Sequence, residues 1–450
     1  MFVVLLSGRV LKVLRSVAIG ADVDFDTWIG NADEALNSGD VGKAVSALRW
    51  ASRGQGMHER PGELVVLARR LLRAARLADM DQLVRFCSAV ILDPDDGQGL
   101  YDLGWQLNEV GLTAIAVPML RRLQGIAPNQ GPLVAELITA LEGDGQHDGA
   151  VQVLLAEAEL LSDFRLRYLL VFNAFMSANV DVALEHLEAL EAIDDGQRFM
   201  LLTVRSMAER YGRTKGVFTL SNVDVRGWHF VLNGGLLLHL SSAGFAEGMH
   251  GRYAFVQGSL HAMRAGLERC TAVFERWGYS PEIVLYLPDL GSRALAQAAA
   301  SLWGVGCEAY SAGAVGCVVA NDLDALDREG QASLRARPAG QVLYVHNAKW
   351  TSPPAFTPDV LYMLSQHLVA LWEPQMRLGD DGQMAGSEPS DEPASYWAEQ
   401  ILGADVEVDQ VASGDSVAEL LALAGSVGAP SGLERSRFWE GGPVSSNRFA

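Results

Sequence analysis

The feature that most narrows the fold is a recurrence. Pro94, Pro128, Ser162 and Gly196 close similar phrases, each 34 residues after the one before. A fixed period of that length marks one supersecondary unit that cannot bury its apolar face alone, so copies must stack. Smaller signals keep the same beat. Ala150 follows Ala116 by 34 residues, and each has a leucine four residues later, Leu120 and Leu154. Trp28 and Ala44 are 16 apart, the same offset as Leu100 to Ala116, and Leu48 follows Ala44 by four. Ala183 and Leu187 open the last clear second helix, one residue short of the period. Between paired apolar stripes lie Asn37-Ser38-Gly39-Asp40, Glu142-Gly143-Asp144-Gly145 and Ser177-Ala178-Asn179. Gly and Asn tolerate turn conformations there, which predicts antiparallel helix pairs.

The stretch 98–128 shows why the unit is a helical hairpin. Leu100, Leu103, Leu107 and Leu120 recur at three and four and share a buried face. Gly104 and Ala116 are small enough to let two helices approach, and Pro128 cannot continue the second. The pattern of a bulky residue, Leu-Gly, a second bulky residue, Ala, a bulky residue four later and a closing Pro resembles the tetratricopeptide repeat. The resemblance covers about residues 22–198, roughly five copies, two of them without the closing Pro. It implies a solenoid whose first helices line a concave face that grips a protein partner. It implies no catalytic group in this half.

After Tyr211-Gly212 the periodicity shortens. Residues 217–220 and 223–225 read as short strands, and Asn233-Gly234 between apolar runs predicts a β-hairpin over 229–239. Residues 253–278 read as a helix with Leu260, Met263, Leu267, Cys270, Val273 and Phe274 on one face. Runs at 283–288, 307–310, 314–320 and 341–346, with an Ala-rich helix over 294–303, predict buried parallel strands of a doubly wound sheet. Ligands of such sheets bind beyond the carboxyl ends of the strands. Asp289, Gly291, Ser292 and Arg293 follow one such end, and Asn321 and Asp322 another. This order resembles the core of the type I phosphoribosyltransferases. The resemblance implies that 289–293 hold a pyrophosphate at a helix start and that Asn321-Asp322 stand at the family's acidic pair. The sequence departs from that family: Asn replaces the first acid, and Leu323-Asp324-Ala325-Leu326-Asp327 has no Thr-Gly phosphate loop. Arg252, in a Gly-rich loop before a helix, is a further candidate anion contact.

Composition removes several function classes. A formal net charge of −20 disfavours a nucleic-acid surface, which needs clustered cations to displace counterions. No stretch approaches the ~18 apolar residues of a membrane span. Cys87, Cys270, Cys307 and Cys317 are scattered and form no C-x-x-C pair, which predicts thiols in a reducing cytoplasm rather than disulfides or a zinc site. His229, His239, His250 and His261 have no metal-ligand spacing, and no cofactor is expected. From 373 onward 14 acidic residues face 4 basic ones, half of the chain's net charge, with short helices at 394–402 and 416–424 and a linker composition over 377–393. Arg435-Ser436-Arg437-Phe438-Trp439 reads as a docking peptide or a free end.

The expected fold class is α plus α/β, a tetratricopeptide-like helical solenoid followed by an α/β domain with a mostly parallel sheet. The expected divisions are 1–21, a short helix or irregular start; 22–213, repeats; 214–372, α/β; and 373–450, acidic linker and tail. The expected function is a non-enzymatic cytoplasmic scaffold or adaptor that holds a protein partner on its repeats. The alternatives are a phosphoribosyltransferase-like enzyme or sensor of a phosphorylated nucleotide or sugar, and a structural subunit of a larger assembly.

Overall fold

The computed structural model describes residues 24–217, 219–241, 248–374, 376–378, 384–386, 388–405 and 415–446. The reading of 1–21, Phe218 and part of the linker and tail therefore lies outside the described residues. The chain forms two compact units, the first ending at Ala174 and the second beginning at Phe175. The division expected near residue 213 thus falls inside the second unit.

The first unit is a run of helix pairs: α1 (Phe25–Asn37) with α2 (Val41–Ser52), α3 (Pro61–Leu77) with α4 (Asp81–Leu92), α5 (Gly97–Glu109) with α6 (Thr113–Ile126), and α7 (Gly131–Gly143) with α8 (His147–Ala156). The helix α9 (Phe164–Met176) follows and contains the division between units. From α1 to α8 each helix packs on the next because its apolar residues repeat at three and four. The eighth residue of each first helix, Ala32, Ala68, Gly104, Ile138 and Val171, is buried. So are Ala44, Ala116, Ala150 and Ala183, each the fourth residue of a helix. The spacing of 34 holds between the starts of α5 and α7 but not before. A 3₁₀ turn, Met57–Glu59, intervenes ahead of α3, and the buried Met57 belongs to a turn that packs on α6. As a result α2 also touches α6, and Arg53 pairs with Asp144 at 2.5 Å, so the first pair reaches beyond its neighbour.

In the second unit, α10 (Val180–Leu187), α11 (Asp195–Thr214) and α12 (Val225–Asn233) precede a sheet. The strands are β1 (Leu236–Leu237), β2 (Tyr253–Gln257), β3 (Ile283–Tyr286), β4 (Gly306–Ala309), β5 (Cys317–Ala320), β6 (Val342–Lys349) and β7 (Val360–Val369). Their order is β1-β7-β6-β5-β3-β4, with β2 also on β7, and every pairing among these seven is parallel. Val284, Cys317, Val319, Val342, Tyr344, Val360 and Tyr362 join one core with α13 (Leu260–Trp277) and α14 (Leu290–Trp303). Leu285, Val318, Leu343, Val345 and Leu361 alternate with them and are buried too, which explains the unbroken apolar runs.

Several local expectations are corrected. Asn233-Gly234 makes no hairpin. Asp224 caps α12 by accepting from the Gly227 N–H at 2.9 Å, and Gly234 ends it in the left-handed region at φ 86°. A helix C-cap and a type I′ turn both need positive φ, so Asn-Gly announced the conformation and not the element. The strand expected at 223–225 is instead a turn and the start of α12. The helix expected from 253 starts at Leu260, behind Ser259, whose hydroxyl accepts from the Ala262 N–H; residues 253–257 are β2. The tail is not a separate appendage. The helices α15 (Arg328–Arg335), α16 (Ala394–Gly403) and α17 (Val417–Val427) complete the unit, and Ala398, Ile401, Leu420, Leu423 and Ala424 enter the sheet's core. Arg435 is buried on Asp359, donating from Nη2 at 2.7 Å and Nε at 3.0 Å. Asp415 is buried between Arg226, Arg269 and His239, and these partners hold its carboxyl well below the usual range against the upward push of burial. β8 (Met376–Leu378) and β9 (Met384–Gly386) pair antiparallel.

Candidate functional site

From β3 the chain turns into α14 and on to β4 at one edge, whereas β5, β6 and β7 build in the other direction. The carboxyl ends of β3 and β5 therefore flank a switch point, where open α/β sheets bind ligands. The structure brings Asp289, Gly291, Ser292, Asn321 and Asp322 together there.

Their hydrogen bonds are mostly internal. Asp289 is the N-cap of α14, and its Oδ1 accepts from the Ser292 N–H at 2.7 Å. That carboxylate occupies the donor end of the helix, where a phosphate was expected. Ser292 is wholly buried, and its Oγ accepts from the Asn321 N–H at 3.0 Å. Gly291 is required by packing: a Cβ there would lie 2.3 Å from the Trp372 ring and 3.1 Å from the Asn321 Cβ. Asn321 Nδ2 donates to Asp322 Oδ2 at 2.9 Å, and Asp322 Oδ1 accepts from the Asp324 N–H at 3.0 Å. Lys349, at the end of β6, pairs with Asp324. Burial raises the Asp322 carboxyl above its ordinary range, and Asp324 and Asp289 add to the rise. Arg293 is exposed. Arg252 is not part of this crevice. It is buried near the C-terminal segment, donating to the Ser445 and Val444 carbonyls at 3.3 and 3.2 Å.

What remains open at the crevice is acceptor chemistry. Asp289 Oδ2, Asn321 Oδ1 and Asn347 Oδ1 are buried without a hydrogen-bond partner among the described residues. Asn347 is on β6, and its N–H donates to the Asn321 carbonyl at 2.9 Å. Unpartnered acceptors beside carboxylates suit a group that brings hydrogen-bond donors, such as an ammonium, and repel a phosphate. Sequence reasoning marks Asn347 only as the polar end of the run 341–346 and missed Lys349 and Trp372, which arrive from strands and loops distant in the chain. An Asn at the end of a buried apolar run was the available signal for Asn347.

Among the described residues, no group of three or more His, Cys, Asp or Glu is placed to hold a metal ion. All four cysteines are free, and burial pushes the Cys87 thiol up to about 12. No described helix is long and apolar enough to cross a membrane.

No protein-family model matches the chain, and no curated protein matches it. Among solved structures, the MamA RS-1 ArsTM double mutant is 19% identical, over 42% of this chain and 97% of that one, at a TM-score of 0.23. MamA 41-end from Desulfovibrio magneticus RS-1 is 21% identical, over 38% and 94%, at the same TM-score.

Proposed function

We propose that this chain is a protein-binding scaffold of tetratricopeptide type, with its partner held on the first helices of the stacked pairs. The observation that carries the reading is Trp105. It is 38% exposed on α5, while Leu100, Leu103, Gly104 and Leu107 of the same helix are buried. The indole is only partly covered, and an aromatic left at the surface is the kind of residue that anchors interfaces. Around it stand half-buried Tyr101 and Asp102 and exposed Glu109 on α5, and Glu136 on α7, whose carboxylate and carbonyl accept from Asn108 Nδ2 at 3.2 and 3.0 Å. An aromatic face with an acidic border complements a partner segment that combines basic and apolar side chains. Four free thiols agree with a reducing, cytoplasmic setting.

Affinity capture from the native host, with full-length protein and Trp105→Ala side by side, tests the reading. The expected result is a protein retained by the native chain and lost from the variant, with unchanged circular dichroism. An identical retained set for both chains rejects this face.

The α/β unit supports a second, narrower reading, a site for a donor-bearing small molecule, on the strength of the unpartnered acceptors at the switch point. Titration with a phosphoribosyl diphosphate and magnesium is expected to give no saturable heat. Tight binding lost in Arg293→Ala restores the phosphate reading.

A further inference from the structure

Arg121 and Arg122 are neighbours on α6, and the fold spends only the second. The Arg122 guanidinium pairs with Asp95 and donates from Nη1 to the His58 carbonyl at 3.4 Å. Arg121 lies half-buried against α8, where Gly149 leaves it room: a Cβ there would stand 3.4 Å from Arg121 Nη2. Burial disfavours its charge, and no carboxylate among the described residues offsets that. No acceptor among them takes its hydrogens, yet its nitrogens are not sealed from solvent. Five N–H donors therefore face an open notch between α6 and α8.

The surroundings of the notch are positive and partly apolar. The turn Met57–Glu59 packs on α6 and brings the half-buried His58 within reach of both guanidiniums. Burial first and Arg121 next hold the His58 ring below its ordinary pKa; Glu59 opposes them and Arg122 adds to them. Ile126, one helical turn beyond Arg122, is 45% exposed, and Leu92, shortly before Asp95, is 86% exposed. Exposed apolar side chains beside an unanswered guanidinium suit a segment that carries acidic and apolar side chains together. A chain of net charge −20 repels such a segment elsewhere, so its binding is confined to a place where cations are in excess.

We propose that the C-terminal part of α6 docks an acidic, apolar segment of a partner protein, with one carboxylate of that segment taken by Arg121 in the notch over Gly149. This contact is separate from the Trp105 face. Trp105 stands on a first helix within an acidic border, whereas Arg121 stands on a second helix and takes the opposite charge. The unit then offers two faces of opposite preference and can hold two partners at once.

The probe is a short fluorescein-labelled peptide of alternating glutamate and leucine, read by anisotropy against the full-length protein at low salt. The same peptide with glutamine in place of glutamate is the control. The expected result is saturable binding of the acidic peptide, weaker by about tenfold or more for the glutamine peptide and for Arg121→Gln. Arg121→Gln removes no hydrogen bond within the fold, so its thermal midpoint should equal or exceed that of the native chain. In histidine NMR of the native protein, the bound carboxylate should raise the His58 titration midpoint, because it cancels the charge of Arg121; inorganic phosphate at equal ionic strength should not. Absence of saturable binding, equal affinity for the glutamine peptide or for Arg121→Gln, or a His58 midpoint unmoved by the peptide overturns the proposal and leaves Arg121 to water. An equal shift with phosphate overturns the peptide as occupant, and a lowered thermal midpoint in Arg121→Gln shows that the fold itself uses this cation.

Discussion

Gly30→Ala and Gly104→Ala make the same chemical change inside first helices of the same stack, yet the structure gives them different consequences. At Gly30 nothing lies within 4 Å of an added Cβ. The substitution there should stabilise by about 0.5–1 kcal/mol, since alanine loses less backbone entropy in a helix. At Gly104 the added Cβ would stand 2.5 Å from Leu120 Cδ2 and 2.6 Å from Leu120 Cγ. Leu120 is itself wholly buried and has no free direction in which to retreat. Overpacking of this kind costs about 1–3 kcal/mol, which offsets or exceeds the helical gain. Leu120→Ala alone should lose about 2–5 kcal/mol through its cavity. In that background the clash is gone, and Gly104→Ala should turn stabilising by up to ~1 kcal/mol, a coupling of about 1–3 kcal/mol between two contacting sites. Amide hydrogen exchange over α5 and α6 in the full-length protein reads this locally, which suits a chain of two units. If Gly104→Ala slows exchange as much in the native background as in Leu120→Ala, the two helices do not meet at Gly104 and the repeat register is wrong.

Burial holds the Glu142 carboxyl up at about 7, against lowering contributions from Asn173 and Arg165. The folded state therefore keeps a proton that the unfolded state releases from about pH 4.5 upward, so stability falls as pH rises toward 7, by at most ~3 kcal/mol. Glu142→Gln, still able to accept from Asn173, should flatten the urea midpoint of the first unit across that window; an unchanged slope refutes the assignment. Asp359→Asn removes the charge that Arg337 and Arg435 share in a buried site and should cost about 3–5 kcal/mol. Trypsin should then cut at Arg435 and Arg437 well before it cuts the native chain, and equal cutting rates would show that the ion pair does not hold this segment. Asp415→Asn leaves Arg226 and Arg269 without their carboxylate and should lower the thermal midpoint of the second unit while leaving that of the first in place.

Which residues are buried along each element is legible in the chain order alone, because that information is local. Ala44, Ala116 and Ala150 are wholly buried at one position of three of the hairpins, and the runs at 283, 317 and 342 are strands of a parallel sheet. Period and composition suffice for such readings. The tertiary structure decided what each buried face meets. Gly234 has the positive φ that Asn-Gly foretells, but the contact of β1 with β7, more than 120 residues away, makes it a helix end rather than a hairpin. The acidic count of the tail concealed Leu420, Leu423 and Arg435, whose places exist only once the sheet is formed. At the switch point, Asp289 and Ser292 were legible as residues, but their use as cap and buried acceptor was not. Asn321, Asn347 and Trp372 come from other parts of the chain to turn an expected phosphate loop into a crevice of acceptors. A side chain's hydrogen-bond capacity is written in the sequence, whereas the partner that consumes it is chosen by packing across long chain separations.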